Sequence, residues 1–358
     1  MRITLKQATL WFILYEIGSA ILVLPSTLAT AARQDAWLSV LLAIGVHLLW
    51  IPLYVSIAGQ MNQQTMGVHL RALFGTWAGK LLLLSFILCF PYLILVLTLR
   101  NLGDFLTTSI TPRSPIEMVY AMMLAAVIYG GRLGARVIGR AAEILYPLFI
   151  FLCIIMMASL LPGVKMGHML PILENGVKPA IRGSIPLLAF PYMETVLFLF
   201  LVPLLQGKEI WKKAVTKSSL ISGFVYLATT WVVIMVLSPE VTENLLFPSY
   251  FAVRTISIWN FYERFEVLLA VLYFITIFFR INLLMYVSAH GLAEVFELKD
   301  ASPLLLPLAL ASLFLANVVW PNISFLLDFL KIWPAYAMLF GYLFPLLLWL
   351  GAHVKKSF

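Results

Sequence analysis

Charge is what this sequence holds least of. Asp, Glu, Lys and Arg make up only 11% of its 358 residues, where a globular domain carries about 25%. A water-facing surface is built from those side chains. Their scarcity, beside 62% hydrophobic residues and a mean hydropathy of +0.99, excludes a soluble fold and makes lipid the solvent. Cysteine is almost missing. Cys89 and Cys153 lie inside apolar runs, which excludes a disulfide framework and a thiolate metal site. The five histidines, His47, His69, His168, His290 and His353, show no metal-ligand pairing. No phosphate loop is complete, because the second glycine of the Gly75–Lys80 stretch is misplaced and Leu81 follows the lysine. No ATPase, nuclease or hydrolase signature stands, so neither an enzyme nor a cofactor is expected. Linkers, low-complexity tracts and soluble domains are also lacking, and residues 1–358 read as a single transmembrane domain.

The net charge of +8 does not point to nucleic acid. The basic residues fall one to four at a time between apolar runs, which is how a bilayer protein sets its orientation. Arg2 and Lys6 precede an apolar stretch, and Ala29-Thr30-Ala31 resembles a signal-peptidase site. That stretch runs from Ala8 to Leu28, too long for the apolar core of a signal peptide. The first span is therefore expected to be retained.

Ten apolar runs approach membrane-spanning length. They fall at about Ala8–Thr30, Trp37–Ala58, Leu81–Leu106, Pro115–Tyr129, Ile144–Leu161, Ile185–Leu205, Ser218–Leu237, Val267–Val287, Pro303–Val319 and Trp333–Leu350. With both termini cytoplasmic, 14 basic residues face inside and nine outside, while Arg280 lies within span eight. That bias has the expected sign. The longest outside connection, Ser238–Glu266, interleaves Glu and Arg with Phe and Tyr and reads as amphipathic helices across the outer face.

Two carboxylates fall inside spans, Glu16 in span one and Glu194 in span six, almost half a chain apart. A carboxylate at mid-membrane costs a few kcal/mol, so such residues face a cavity or a partner. Both sit beside helix-breaking residues: Gly18 and Pro25 in one span, Pro186 and Pro191 in the other. Corresponding interruptions in two halves point to a transporter-type site, where freed amides and carbonyls await a polar ligand. Packing glycines, proline kinks and a protonated Glu bonded to a neighbouring helix remain the bland alternative. Tyr92 and Tyr273 could line a pocket or simply pack. Arg280 and Asn282 are further polar residues of span eight, and Arg280 is expected to snorkel to the cytoplasmic surface.

Three stretches resemble a known family. Gly18-Ser19-Ala20-Ile21-Leu22-Val23-Leu24-Pro25 is similar to the small-residue break in the first span of the amino acid/polyamine/organocation transporter superfamily. Phe190-Pro191-Tyr192-Met193-Glu194 is similar to the sixth-span break, where the spore germination branch usually reads Pro, aromatic, Gly, Glu. Asn260-Phe261-Tyr262-Glu263-Arg264-Phe265-Glu266 resembles a stretch characteristic of that branch. Together they resemble the B subunit of endospore germinant receptors, a spore germination permease family, along essentially the whole chain.

The resemblance implies an all-α polytopic protein of about ten helices in a LeuT-like, 5+5 inverted-repeat arrangement. Repeat one would cover about 8–161 and repeat two about 185–350, with spans one and six broken. It implies a receptor for a small germinant, typically an amino acid, working with A and C subunits in the spore inner membrane. The expected ligand residues are Gly18, Ser19, Ala20, Ile21, Phe190, Pro191, Tyr192 and Glu194. An amino acid permease is the rival reading. Two departures stand out. Met193 replaces the usual glycine, and span five lacks the lysine that some proton-coupled members place there.

Overall fold

The computed structural model describes residues 2–255, 266–321 and 323–356. Among the described residues every regular element is helical. Helix α1 (Leu5–Ile17) opens with a capping box. Thr4 Oγ1 accepts from the Gln7 amide at 3.2 Å, and Gln7 Oε1 accepts from the Thr4 amide at 3.1 Å. The two reciprocal bonds satisfy orphan donors of the first turn. The chain then turns at Gly18, φ +31, and restarts as α2 (Ala20–Ala32). The first expected span is thus two half-helices.

The chain continues as α3 (Ala36–Met61), α4 (Met66–Phe74), α5 (Thr76–Cys89), α6 (Pro91–Phe105), α7 (Ile116–Leu133) and α8 (Ala135–Leu160). Helix α9 (Lys178–Ala189) stops at Phe190-Pro191, and a 3-10 helix, Tyr192–Leu204, completes that span. Thirteen residues is unusually long for this tighter helix, which is common at hinges and rarely exceeds one turn. After it come α10 (Lys208–Leu237), α11 (Pro239–Glu243), α12 (Pro248–Arg254), α13 (Glu266–Val295), α14 (Ser302–Val318), α15 (Ile323–Met338) and α16 (Phe344–Lys356).

Eight helical stretches among the described residues are long and apolar enough to cross a membrane. The first of them, Ala20–Met61, comprises α2 and α3 on either side of the 3-10 turn Arg33–Asp35, and Ser302–Val318 falls just short in length. The chain is therefore a polytopic helical membrane protein. The germination-type stretch at 260–265 lies outside the described residues.

Burial sorts the helices into centre and periphery. On α1 every residue from Gln7 to Ile17 is buried, because α10, α8 and α13 pack around it. The 3-10 stretch is buried from Tyr192 to Val202. Helix α8, by contrast, exposes Ile144, Leu148, Phe151 and Ile154, the apolar face of a helix whose solvent is lipid. Both interrupted spans are thus central.

Helices α11 and α12, in the connection read as amphipathic, each combine buried residues with exposed ones, Glu240 on α11 and Phe251 and Arg254 on α12. Pro248, Ser249, Tyr250, Ala252 and Val253 are buried. The reason lies in span one. Pro25 has no amide hydrogen, so the carbonyl four residues earlier, on Ile21, lacks its helical donor. Ser249 Oγ donates to that carbonyl at 2.6 Å, which draws α12 inward.

Candidate functional site at two helix breaks

Breaking a helix at Gly18 frees carbonyls that a continuous helix would satisfy. Side chains of other helices take them. Arg280 Nη1, from α13, donates to the Tyr15 carbonyl at 3.3 Å, while Thr276 Oγ1 of the same helix donates to the Tyr273 carbonyl at 2.9 Å and lies 3.2 Å from the Gly18 carbonyl. The Tyr226 hydroxyl, from α10, donates to the Glu16 carbonyl. The amide side of the same break is different: no side chain caps the start of α2 at Ser19. The positive end of that half-helix has no side-chain cap among the described residues.

Glycine at 18 is required by space as well as by its φ. A Cβ there would lie 2.6 Å from Arg280 Cδ and 2.8 Å from the Tyr15 carbonyl oxygen. The room beside Gly18 is therefore filled by Arg280. The expectation that Arg280 snorkels to the surface is overturned, since the side chain is 0% exposed. A buried guanidinium is held by a buried carboxylate instead. Arg280 Nη2 donates to both oxygens of Glu194, at 2.8 and 2.7 Å, and Nε donates to Thr98 Oγ1 at 3.3 Å. Its planar group also lies over the rings of Tyr15 and Phe190, at 4.7 and 4.6 Å, in range for cation–π attraction. The Tyr15 hydroxyl donates to Glu194 Oε2 at 2.6 Å. One ion pair thus joins both breaks.

Glu16, two residues before the turn, has no cation beside it among the described residues. Its Oε1 accepts from Ser218 and Ser219 at 3.3 and 3.2 Å, and its Oε2 from Ser222 at 2.6 Å. These serines line one face of α10. Ser219 Oγ also lies 2.9 Å from His47 Nε2 of α3, and the His47 ring stacks on Tyr192 at 4.3 Å. Neither the serines nor His47 stood out in the sequence. A Ser-x-x-x-Ser spacing on one helix face was the only signal available, and small residues in membrane helices are commonly packing residues.

Of the sequence candidates, Gly18, Phe190, Pro191, Tyr192 and Glu194 come together, with Ser19, Ala20 and Ile21 at the start of α2. Tyr92 is placed elsewhere, whereas Tyr273 lies on α13 one turn before Thr276, near the Gly18 break. The Tyr92 hydroxyl donates to the Leu308 carbonyl at 3.1 Å. The Tyr273 ring meets Phe105 edge-on at 5.0 Å, and its hydroxyl has no partner among the described residues. Asn282 bonds back to the Phe278 carbonyl of its own helix at 2.9 Å. Met193 packs on Gly341, where a Cβ would meet Met193 Cβ at 2.4 Å.

A separate cavity of about 460 Å³ opens at the ends of α3, the 3-10 stretch and α10. Gln60, Asn62, Gln63, Lys208 and His353 contribute polar lining.

Known proteins resemble this chain throughout. A family model described as "Spore germination protein" matches residues 2–325. The chain is 31% identical to spore germination protein KB of Bacillus subtilis, over 99% of this chain and 96% of that one. It is 28% identical to spore germination protein YndE of the same organism, over 84% and 83% of the two chains. Spore germination protein XB of Bacillus anthracis is 22% identical over 94% of each.

Proposed function

This chain belongs to the spore germination protein family, and we propose that it is the membrane receptor subunit that binds a small germinant, an amino acid, where its two helix breaks meet. One observation supports this reading above the others: the Tyr15 and Glu16 carbonyls of the first break are taken by side chains, while the start of α2 has no side-chain cap. A ligand carboxylate would lie at the α2 amides of Ser19, Ala20 and Ile21. Its ammonium would donate to carbonyls near Phe190 and Pro191. Arg280 adds a cation that the sequence reading did not count among the ligand groups. Glu194 holds it in this structure, so an arriving carboxylate competes with Glu194 and loosens the link between the breaks. Signalling follows only if the ligand prefers one arrangement.

The wider frame is that of ten spans in two inverted halves, with both termini cytoplasmic, in the spore inner membrane. A and C subunits would be the partners that receive the signal. The polar cavity at the α3 and α10 ends favours the rival reading of a permease, since a solute path would need such a vestibule. Flux of labelled amino acids into vesicles separates the two, because a receptor binds without transport.

The binding test is germinant concentration dependence at matched protein level. Arg280→Gln is expected to raise the half-maximal concentration by about tenfold or more, equivalent to roughly 1.4 kcal/mol of lost affinity, because it removes the cation for which the arriving carboxylate competes. An unchanged half-maximal concentration and amplitude would place the ligand elsewhere.

A further inference from the structure

We infer that Glu16 and His47 form a proton-binding site in which one exchangeable proton is shared through the hydroxyl of Ser219, separate from the Arg280–Glu194 pair. The inference does not depend on which germinant binds, or on whether one binds at all.

The geometry is a short relay. Glu16 Oε1 and His47 Nε2 lie on opposite sides of Ser219 Oγ, at 3.2 and 2.9 Å. All three residues are buried, with His47 and Glu16 at 0% exposure. A serine carries one hydroxyl proton and accepts others, so it passes protons rather than storing them. In one arrangement the Glu16 carboxyl donates to Ser219 Oγ, whose own proton is donated to His47 Nε2. In the other, the proton of Glu16 has moved to Ser219 and that of Ser219 to Nε2. The products are a carboxylate, an unchanged hydroxyl and an imidazolium. No atom is gained or lost, and the pair keeps its total charge.

Hydroxyl bookkeeping favours a proton in the cluster. Ser218 Oγ is nearer the Val215 carbonyl, at 2.9 Å, than Glu16, at 3.3 Å. Ser222 alone has Glu16 as its shorter partner, at 2.6 Å against 3.3 Å for the Ser219 carbonyl. Glu16 is thus not surrounded by three committed donors, and a full negative charge would have no cation to offset it. His47 Nδ1 has no partner among the described residues, so the ring is not locked into one tautomer by a second bond.

The titratable groups facing the relay are few. Tyr226 comes from α10, and Tyr192 and Glu194 from the 3-10 stretch. Tyr15 lies on α1 itself, and Arg280 on α13. Arg280 is already held by Glu194. The relay touches both interruptions, since Glu16 immediately precedes Ile17-Gly18 and His47 stacks on Tyr192, the first residue after Pro191. Loading or emptying it therefore changes the electrostatics of both breaks at once.

Infrared titration of the purified full chain in lipid nanodiscs, without any germinant, tests the site. A protonated-carboxyl band that changes with pH is expected in the native protein and in Glu194→Gln, and is expected to be absent from Glu16→Gln. Ser219→Ala and His47→Gln should each move its midpoint by about one pH unit, a tenfold change in proton affinity. A band that persists in Glu16→Gln, or a midpoint unmoved by both relay variants, overturns the proposal. Nitrogen-15 histidine spectra of the native protein give an independent readout. The His47 Nε2 signal, identified by its loss in His47→Gln, should change over the same pH range as the carboxyl band. A His47 signal constant across that range would also overturn it.

Discussion

Glu16 and Glu194 are the same residue type, both fully buried, each beside a helix break, and the protein holds them by opposite means. Glu194 is matched by a charge: Arg280 Nη2 donates to both of its oxygens, and the Tyr15 hydroxyl donates as well. Glu16 is matched by hydroxyls alone. The difference lies in what each carboxyl's partners can fall back on. Without Glu194, Arg280 keeps only one side-chain hydroxyl and one carbonyl, too little for a buried cation. Without Glu16, Ser218 retains the Val215 carbonyl, Ser222 the Ser219 carbonyl, and Ser219 retains His47. One carboxyl closes a structure; the other can change its state without dismantling one.

The sharpest way to break that contrast is to remove the cation. Arg280→Met should destabilise the protein by about 3–5 kcal/mol, since it leaves the Glu194 carboxylate buried and unpaired. Adding Glu194→Met should restore most of the loss, because a pair replaced by apolar groups leaves no orphan charge. Thermal unfolding in detergent reads both, and a double variant no more stable than the single would show that charge is not what is lost.

Crowding the same pair without touching its charges should cost less. Gly18→Ala puts a methyl against Arg280 Cδ and the Tyr15 carbonyl at a positive φ. A loss of about 1–3 kcal/mol is expected, the range for overpacking and for left-handed strain. The arginine must shift to admit the methyl. An unchanged melting temperature would mean that the room beside Gly18 is not filled by Arg280.

Glu16→Leu should be the mildest of the three, at about 1 kcal/mol or less. Every serine keeps an acceptor, and exchanging a buried polar partner for an apolar one of similar size is nearly neutral when no group is left unsatisfied. A loss as large as that of Arg280→Met would erase the contrast.

Much of this could be read in the sequence, for a physical reason. Gly18 and Pro191 mark the breaks because backbone conformation is encoded locally, and apolar runs mark helices for the same reason. The boundary between spans one and two falls close to where the apolar runs put it, since α2 ends at Ala32 and α3 starts at Ala36, with the 3-10 turn Arg33–Asp35 between them. Arg280 was misplaced because snorkelling and pairing look alike in one dimension. Its partner is 86 residues away and carries no local signature. His47 was weighed for metal spacing, whereas its role rests on a serine from α10 and a tyrosine from the sixth span. Ser249 could have been anticipated from Pro25, which leaves one carbonyl seeking a donor, but not from which helix that donor would come.

The contact between Met193 and Gly341 carries a mechanical consequence. A Cβ at 341 would lie 2.6 Å from the Met193 carbonyl oxygen and 3.0 Å from its carbon, so the two helices touch main chain to main chain. Shortening the Met193 side chain beyond Cβ would leave these contacts in place. The Gly341 carbonyl in turn accepts from the Tyr54 hydroxyl of α3 at 2.6 Å. The turn after the sixth-span break, the π-helical turn Leu339–Leu343 and α3 form a joint without play, because packed interiors yield little. A rotation of the 3-10 stretch cannot be absorbed at this joint, so the C-terminal arm and α3 must travel with it.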